Sequence, residues 1–259
     1  MKINEINFYE NIIKIFNIKK NDILLVSSDL TSLLSFFKKK KIRYNLNYLI
    51  DVLIDTLGSN GTLLFPTYNW DFCKGYTFDY INTPSTTGSL SKIALSRNDF
   101  IRTKNPIYSF TVYGKYSKYL ANLKHQSCFG EDSPFAFLYQ KNGKNLFIGM
   151  DYKLGFTMDH YAEEKVGVDY RFFKTFSGGY IDKYKNLKKV KYSMYVRDLS
   201  LNVDTAISKK MDNILKLNKC LIQKKIFGIN CSLINLKKTC KIMFVDIKNK
   251  GGLIYPKKI

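Results

Sequence analysis

The sequence has few of the residues that build metal sites and disulfide frameworks. Only two histidines occur, His125 and His160, and they lie far apart in the chain. The five cysteines are an odd number at wide spacings, with no Cys-x-x-Cys pair. Because a zinc ribbon or a disulfide scaffold needs closer pairing, we expect no metal, and we expect the thiols to be buried as small apolar side chains.

Long apolar runs are also missing. No stretch of about 18 apolar residues occurs, so we expect no membrane-spanning helix. Glu5 and Glu10 interrupt the apolar residues near the N-terminus, where a secretory signal peptide needs an uninterrupted segment. The hydrophobic content of 45% excludes intrinsic disorder. We therefore expect a folded protein that stays in the cytoplasm, with its 259 residues in one domain.

Acidic residues are half as numerous as basic ones, 21 against 42, so the net charge is +21. Three explanations stay open: nucleic-acid binding, attraction of small anionic substrates, and a genome whose codons favour lysine. The basic residues are scattered, and each local cluster, such as 38–41 or 188–191, is typical of a solvated surface. The sum nevertheless produces a field that concentrates anions.

Alternating periodicities predict an α/β fold. Helices are predicted over 4–16, 45–57, 88–97, from Ser133-Pro134, and from a Thr157 cap to about residue 165. Buried strands are predicted at 22–26, 62–65, 107–112 and 145–149, followed by a hairpin of 180–184 with 190–196 and helices at about 204–217 and 232–240. We expect a single domain whose central mixed sheet is flanked by helices, with a core over 1–176 and an antiparallel accessory region over 177–259.

A long irregular segment, 67–87, separates a predicted strand from a predicted helix. Loops of this length in compact domains are usually functional or disordered, and the many aromatic residues argue against disorder. Side chains such as Tyr68 and Trp70 are suited to stacking on a sugar or a nucleobase. Packing of the same rings in the core beneath the loop explains the pattern equally well.

The residues 157–164 offer the chemistry of a general base. On a helix, His160 lies beside Glu163 and Glu164, three and four positions later. A neighbouring carboxylate favours the protonated imidazole and fixes its tautomer, and a base of this kind contributes about 10²–10⁴-fold in rate. An ordinary ion pair on a helix surface has the same spacing.

Two polar loops follow predicted strands. Ser27 and Ser28 come after the first strand, and the residues 83–88 lead into a helix whose start is suited to an anion. In α/β sheets, ligands bind outside the carboxyl ends of the strands. No phosphate-binding P-loop and no dinucleotide fingerprint is present.

In their order and spacing, these segments resemble the aminoglycoside 3-N-acetyltransferase family of acyl-CoA-dependent N-acyltransferases. The matching stretches are DILLVSSDL (22–30), LGSNGTLLFPTY (57–68), FDYINTPSTTGSL (78–90), IRTKNPIYSFTVYG (101–114), FGEDSPFAFLY (129–139) and NLFIGMDYKLGFTMDHYAEE (145–164). The chain departs from the family where Val26 stands in place of the usual His-Ser-Ser histidine, where Asn105 stands in place of the His-Pro histidine, and at 36–41, which replace a glycine-rich stretch.

The resemblance implies a role for each matching residue. His160 takes the place of the histidine that deprotonates the acceptor amine, and Glu163 helps to hold that site. The co-substrate is acetyl-CoA or another short acyl-CoA, and the implied coenzyme contacts are Ser27, Ser28, Thr83, Ser85, Arg102 and Ser109. Arg102 is suited to a phosphate, which a guanidinium binds in bidentate fashion. An amide or hydroxyl of the Ser27-Ser28 loop is expected to stabilise the oxyanion.

The charge also bears on the acceptor. Aminoglycosides are cationic, whereas acyl-CoA and nucleotide-linked amino sugars are anionic and are attracted by a basic protein. We therefore expect acylation of a nucleotide-linked amino sugar, as in surface-polysaccharide assembly, with the acceptor bound by Tyr68, Trp70, Asp79 and Asp159. One alternative is an aminoglycoside 3-N-acetyltransferase that confers antibiotic resistance. Another is a basic nucleic-acid-binding protein, although no recognised binding motif is visible.

Overall fold

The computed structural model of the chain describes residues 4–254 and the backbone of 257–258. The α-helices of this part are α1 (Glu5–Phe16), α2 (Thr31–Lys39), α3 (Leu46–Leu57), α4 (Ser89–Ser96), α5 (Ser117–Asn122), α6 (Pro134–Gln140), α7 (Met158–Val166), α8 (Lys210–Leu217) and α9 (Leu236–Lys248). Its strands are β1 (Ile23–Ser28), β2 (Thr62–Pro66), β3 (Phe78–Asp79), β4 (Ile101–Arg102), β5 (Phe110–Gly114), β6 (Lys144–Ile148), β7 (Arg171–Ile181), β8 (Leu187–Arg197), β9 (Val203–Asp204), β10 (Leu221–Ile226), β11 (Ile229–Asn235) and β12 (Lys257–Lys258).

The central sheet has seven strands in the order β10-β11-β6-β1-β2-β5-β4. Its three middle strands, β6, β1 and β2, are parallel, and the strands on both sides of them pair antiparallel. The carboxyl ends of the parallel strands therefore lie along one edge, where ligands bind in α/β sheets. The mixed sheet with flanking helices confirms the predicted fold class.

Each face of the central sheet carries its own layer of helices. Because side chains alternate along a strand, Leu24 and Val26 of β1 pack against α1 to α4, whereas Leu25 packs on the other face with α6 to α9. Ser27 continues the series of Leu25 and points to the face that α7 covers. This alternation places the end of β1 and the helix of His160 on the same side of the sheet.

A long hairpin stands beside the central sheet. Strands β7 and β8 pair from Arg171↔Arg197 to Ile181↔Leu187, and β3 adds to β7 in parallel. The structure confirms an antiparallel hairpin with its turn near Asn186, but the predicted pairing of 180–184 with 190–196 is wrong, because 190–196 pair with 172–178. The hairpin is also longer than predicted. The exposed first half of β7 mixes polar and aromatic residues without a strict alternation, so the sequence pattern did not predict this part of the strand. The predicted boundary at residue 176 falls inside β7.

Several predicted boundaries are wrong. The helix predicted over 232–240 is strand β11 followed by α9, because four consecutive residues of β11 are buried on both faces and such an apolar run does not distinguish a strand from a helix. The helix predicted from 204 begins at Lys210. Ser27 and Ser28 lie within β1, not in a loop, since they pair with Phe147 and Ile148 of β6.

The cysteines are mostly buried, as the sequence predicted. Four cysteines, Cys128, Cys220, Cys231 and Cys240, are buried, while Cys73 is half-buried, and all five are free thiols. Burial raises the pKa of Cys73 to about 11, so this thiol is protonated at neutral pH.

Over residues 4–254, no helix combines the length and the apolar character needed to cross a bilayer.

Candidate active site

The loop between β6 and α7 brings helix α7 to the carboxyl end of β1. Gly149 has a φ of 77°, and a Cβ at this position would lie 1.9 Å from the carbonyl oxygen of Asp29, so the close approach requires glycine. The predicted capping role of Thr157 is wrong, because its side chain makes no capping hydrogen bond. The Thr157 hydroxyl instead donates to the carbonyl of Gly155 at 3.5 Å, within the loop that precedes α7.

His160 and Glu163 contact each other, as their helical spacing predicted, and lie at the centre of the candidate site. The imidazole Nδ1 lies 3.0 Å from Oε2 of Glu163 and 3.4 Å from Oδ1 of Asp159. The Glu163 side chain is only 3% exposed, whereas that of His160 is 28% exposed. The carboxylate also accepts a hydrogen bond from the Tyr170 hydroxyl at 2.9 Å and pairs with Nε of Arg171 at 2.9 Å. A buried carboxylate thus holds a partly exposed imidazole.

These contacts change the protonation equilibria of the group. Burial lowers the pKa of His160, but the charges of Asp159 and Glu163 outweigh burial and raise that pKa, while Arg171 opposes them. Burial favours the protonated form of Glu163, yet the His160 hydrogen bond and the charges of His160 and Arg171 lower its pKa. Burial raises the pKa of Asp159. Nη2 of Arg171, which is a donor, also lies 3.2 Å from Nδ1. Because the contact with the ionised Glu163 is shorter, at 3.0 Å, we assign the tautomer with hydrogen on Nδ1, which leaves Nε2 as the acceptor.

A continuous row of aromatic rings leads from the imidazole to the surface. The ring of Phe129 meets His160 edge-on at 5.3 Å, and Tyr108 follows at 4.7 Å from Phe129. Tyr68 lies 4.7 Å from Tyr108, and Trp70 lies 6.0 Å from Tyr108. Trp70 is 40% exposed at the end of this row, while Tyr68 is buried. Tyr68 and Trp70, the predicted substrate-binding aromatics, are therefore connected to His160 through Tyr108 and Phe129. Most of the contacts of Tyr68 are packing contacts in the core.

The end of β1, with Ser27 and Ser28, meets the segment that leads into α4. Gly88 has a φ of 66°, and a Cβ there would lie 2.8 Å from the carbonyl oxygen of Ser28, so the start of α4 touches β1. The buried Ser27 donates its hydroxyl to Oδ1 of Asn145 at 3.3 Å, whereas Ser28 is half-buried. Ser28 is thus the more accessible hydroxyl of the pair.

Arg102 anchors the segment 67–87 from inside. Its side chain donates to the carbonyl of Thr83 at 2.6 Å, to the carbonyl of Thr67 at 3.3 Å and to the Ser109 hydroxyl at 3.1 Å. The residue is 4% exposed, its guanidinium lies over the Phe78 ring at 4.6 Å, and burial lowers its pKa to about 10. A phosphate contact for Arg102 stays a prediction, and the contacts seen here are those of an internal anchor.

The remaining predicted contacts belong to the same hydrogen-bonded segment. Asp79 accepts the backbone amides of Ile81 and Asn82 at 2.9 Å each. The Thr83 hydroxyl accepts the Asp79 amide at 2.7 Å, and the Ser85 hydroxyl lies 2.9 Å from that of Thr87. These side chains shape a turn and are not among the direct contacts of His160. Their roles in binding substrate or coenzyme stay predictions.

Sequence reasoning missed four residues around the His160–Glu163 pair. Phe129 and Arg171 contact the imidazole, Tyr170 bonds to Glu163, and Tyr108 packs on Phe129. Arg171 carried a usable signal, since it is a basic residue placed shortly after a helix with three carboxylates. The three aromatic residues carried no usable signal, because an aromatic residue in a buried stretch is typical of any core. Within the described part of the chain, no cluster of side chains is suited to a metal ion.

The family model of aminoglycoside 3-N-acetyltransferase matches residues 25–245. The chain belongs to this family. Within it, the SPbeta prophage-derived aminoglycoside N(3')-acetyltransferase-like protein YokD of Bacillus subtilis is 25% identical to this chain over 178 residues. That alignment covers 60% of this chain and 62% of YokD, so it spans less than two thirds of the relative.

Solved structures of this aminoglycoside 3-N-acetyltransferase family share the fold over nearly the whole chain. The crystal structure of YokD has a TM-score of 0.73 at 19% identity and covers 94% of both chains. AAC-IIIb, in its binary complex with CoASH, has a TM-score of 0.77 at 14% identity, with 96% of this chain and 97% of that chain covered. AAC-VIa bound to sisomicin has a TM-score of 0.77 at 16% identity, with 96% and 99% covered. The predicted family resemblance and the predicted fold are confirmed.

Proposed function

We propose that the chain transfers the acetyl group of acetyl-CoA to an amine of an aminoglycoside. The observation that carries this proposal is the imidazole of His160, which Glu163 holds at Nδ1 while a quarter of the side chain stays exposed. Family membership supports the reaction class. The related structures of AAC-IIIb with CoASH and AAC-VIa with sisomicin support the two substrates.

The chemistry follows from the free Nε2 of His160. The acceptor nitrogen attacks the thioester carbon, a C–N bond forms, and the carbonyl π electrons move to oxygen. Nε2 accepts the proton that the nitrogen loses, and Glu163 stabilises the resulting imidazolium through Nδ1. When the tetrahedral intermediate collapses, the C–S bond breaks, the oxyanion re-forms the carbonyl, and His160 returns its proton to the leaving thiolate.

The developing oxyanion needs a donor near the end of β1. Ser28 is the candidate, because it is half-buried beside the start of α4 and its neighbour Ser27 is already bonded to Asn145. A preorganised donor of this kind contributes about 10²–10³-fold in rate. The hydroxyl or an adjacent amide serves this role when the thioester is bound.

The preference for a nucleotide-linked amino sugar has no support among the relatives, which favour the aminoglycoside alternative. The argument from net charge fails for a physical reason. A net charge of +21 averages over the whole surface, whereas an acceptor amine meets the local field of the site. There the carboxyl groups of Asp159, Glu163 and Glu164 outnumber the cations Lys165 and Arg171 on α7 and at the start of β7, and fields beyond about 8–10 Å are screened by physiological salt.

A steady-state assay tests the acceptor. With saturating acetyl-CoA, we expect acetylation of sisomicin or gentamicin and no turnover of nucleotide-linked 3- or 4-amino sugars. The single tryptophan, Trp70, provides an independent readout, because its exposed ring lies at the end of the aromatic row. Sisomicin should change the Trp70 emission in the wild type, and Trp70→Phe should remove that signal. Turnover of the sugar nucleotides without turnover of aminoglycosides would overturn the proposal.

A further inference from the structure

A second basic cavity lies away from His160. Its volume is about 640 Å³, and it opens between α5, the edge of the central sheet near β4, and the tip of the β7–β8 hairpin. We name it the lysine cleft, after the ammonium groups of Lys104, Lys118, Lys183 and Lys188, which line it together with the rings of Tyr180 and Tyr192. None of these residues takes part in the acetyl transfer derived above.

The positive charge of the lysine cleft is not neutralised from within. Among the described residues, none of its four lysines forms an ion pair. One carboxylate lines the cleft, Asp182, which accepts the backbone amides of Tyr184 and Asn186 at the hairpin turn and also interacts with the charge of Lys188, so four ammonium groups share a single counter-charge. Burial and the charges of Lys124, Lys183 and Lys188 lower the pKa of the half-buried Lys104. A bound anion relieves this repulsion, so the cleft is built to gain from a ligand with several negative charges.

The aromatic side chains of the cleft are held in place from behind. Tyr180 packs on the buried Phe78 with ring centroids 5.3 Å apart, and Tyr192 meets Phe72 edge-on at 6.1 Å. The Lys188 ammonium lies 5.4 Å from the Tyr180 ring. Rigid rings beside cations are the combination that binds a flat base by stacking and its phosphates by charge.

The lysine cleft is distant from the acetyl-transfer site. Arg171, which contacts Glu163, begins β7, and Tyr180 lies near the end of this 11-residue strand. At about 3.3 Å per residue, the two ends of β7 are separated by about 30 Å. A small molecule in the cleft therefore does not touch His160.

We propose that the lysine cleft binds a nucleoside polyphosphate as a ligand separate from acetyl-CoA. Its phosphates contact Lys104, Lys188 and the neighbouring ammonium groups, and its base lies against the half-buried ring of Tyr192, since Tyr180 is only 4% exposed.

Tyr180 lies about 30 Å along β7 from Arg171, and Tyr192 lies opposite Phe176, about 17 Å from Arg171. ADP in the cleft therefore does not contact His160, and competition with coenzyme A tests its separation from the coenzyme.

Isothermal titration calorimetry with ADP tests this site. The double variant Lys104→Gln/Lys188→Gln should weaken ADP binding by about tenfold or more, since each charge-assisted phosphate contact contributes strongly. The matched control is Lys19→Gln/Lys20→Gln, which removes the same charge from exposed positions before β1. The control should bind ADP like the wild type, and equal unfolding temperatures should show that both variants are folded.

Two further measurements separate the lysine cleft from the coenzyme site. ADP should still bind when coenzyme A is saturating, and Lys104→Gln/Lys188→Gln should leave the KM for acetyl-CoA unchanged. Inorganic pyrophosphate should bind more weakly than ADP, because it lacks a base to stack on Tyr192. Equal ADP affinities of both double variants, displacement of ADP by coenzyme A, or equal binding of pyrophosphate and ADP would each overturn the proposal.

Discussion

Nδ1 of His160 lies 3.0 Å from Oε2 of Glu163, which is one turn later on the same helix. The pair is local in sequence, but its environment is not. Glu163 is fixed by Tyr170 and by Arg171 at the base of the hairpin, and His160 is bounded by Phe129 from a distant loop. The contact with Glu163 orients the imidazole, while the side chain of His160 stays accessible.

Replacement of His160 by alanine should remove the base. We expect kcat to fall by about 10²–10⁴-fold, with a smaller change in KM because the ring contributes little to ground-state binding. The matched control is His125→Ala, since His125 bonds to the Ser127 carbonyl and not to the site. A His160→Ala enzyme with near-normal kcat at saturating acceptor would contradict the assignment.

Glu163→Gln should move the pH profile to the acid side. The carboxylate raises the pKa of His160, so its removal lowers that pKa and keeps the base neutral at lower pH. The acidic limb of kcat/KM should therefore shift to lower pH, while the plateau falls because the imidazolium loses its partner. Glu164→Gln is the matched control, because Glu164 bonds to Ser127, and it should leave the limb in place.

Arg171→Gln should shift the acidic limb of the pH profile of kcat/KM in the opposite direction, to higher pH. The guanidinium lowers the pKa of His160, so its loss raises that pKa and moves the limb to higher pH. The variant should also lose about 3–5 kcal/mol of stability, since it leaves a buried carboxylate without its cation. Urea unfolding measures the loss, and Arg171→Lys should restore part of both properties. An unshifted limb would show that Arg171 has only a structural role.

Arg102→Lys tests the internal anchor. Lysine cannot reproduce the fork that donates to Thr67, Thr83 and Ser109, and each buried carbonyl left unpaired costs about 1–3 kcal/mol. We expect a lower free energy of unfolding and faster proteolysis within 67–87. The exposed Arg43→Lys is the control and should change neither. Weaker coenzyme A binding at unchanged stability would instead favour the phosphate contact that the family resemblance implies.

Much of the fold was predictable because its signals are local. Helices α1 and α3 begin after Asn4 and Asn45, whose side chains cap them, and their apolar residues repeat at helical spacing. The buried strands β1, β2 and β6 are short apolar runs next to polar turns. Prediction failed at β11, whose buried run is compatible with a helix or a strand until its partner strand is known.

In the candidate site, too, local features were predictable and long-range contacts were not. His160 and Glu163 were predictable because three residues on a helix place two side chains on one face. The burial of Arg102 was not predictable, because only the folded segment 67–87 surrounds its side chain with carbonyl groups. The net charge indicated anionic partners, yet it said nothing about where on the surface the lysines converge.

The amino-acid sequence by itself determined the α/β class and the histidine–glutamate pair, because periodicity, capping and helical spacing act between residues close in the chain, and its ordered motifs carried the resemblance to the family. Only the tertiary structure decided that Arg171 pairs with Glu163, that Arg102 points inward, and that four lysines share one cleft. Those contacts join residues brought together by the order of the strands, and their strength depends on burial and charge that no local pattern specifies.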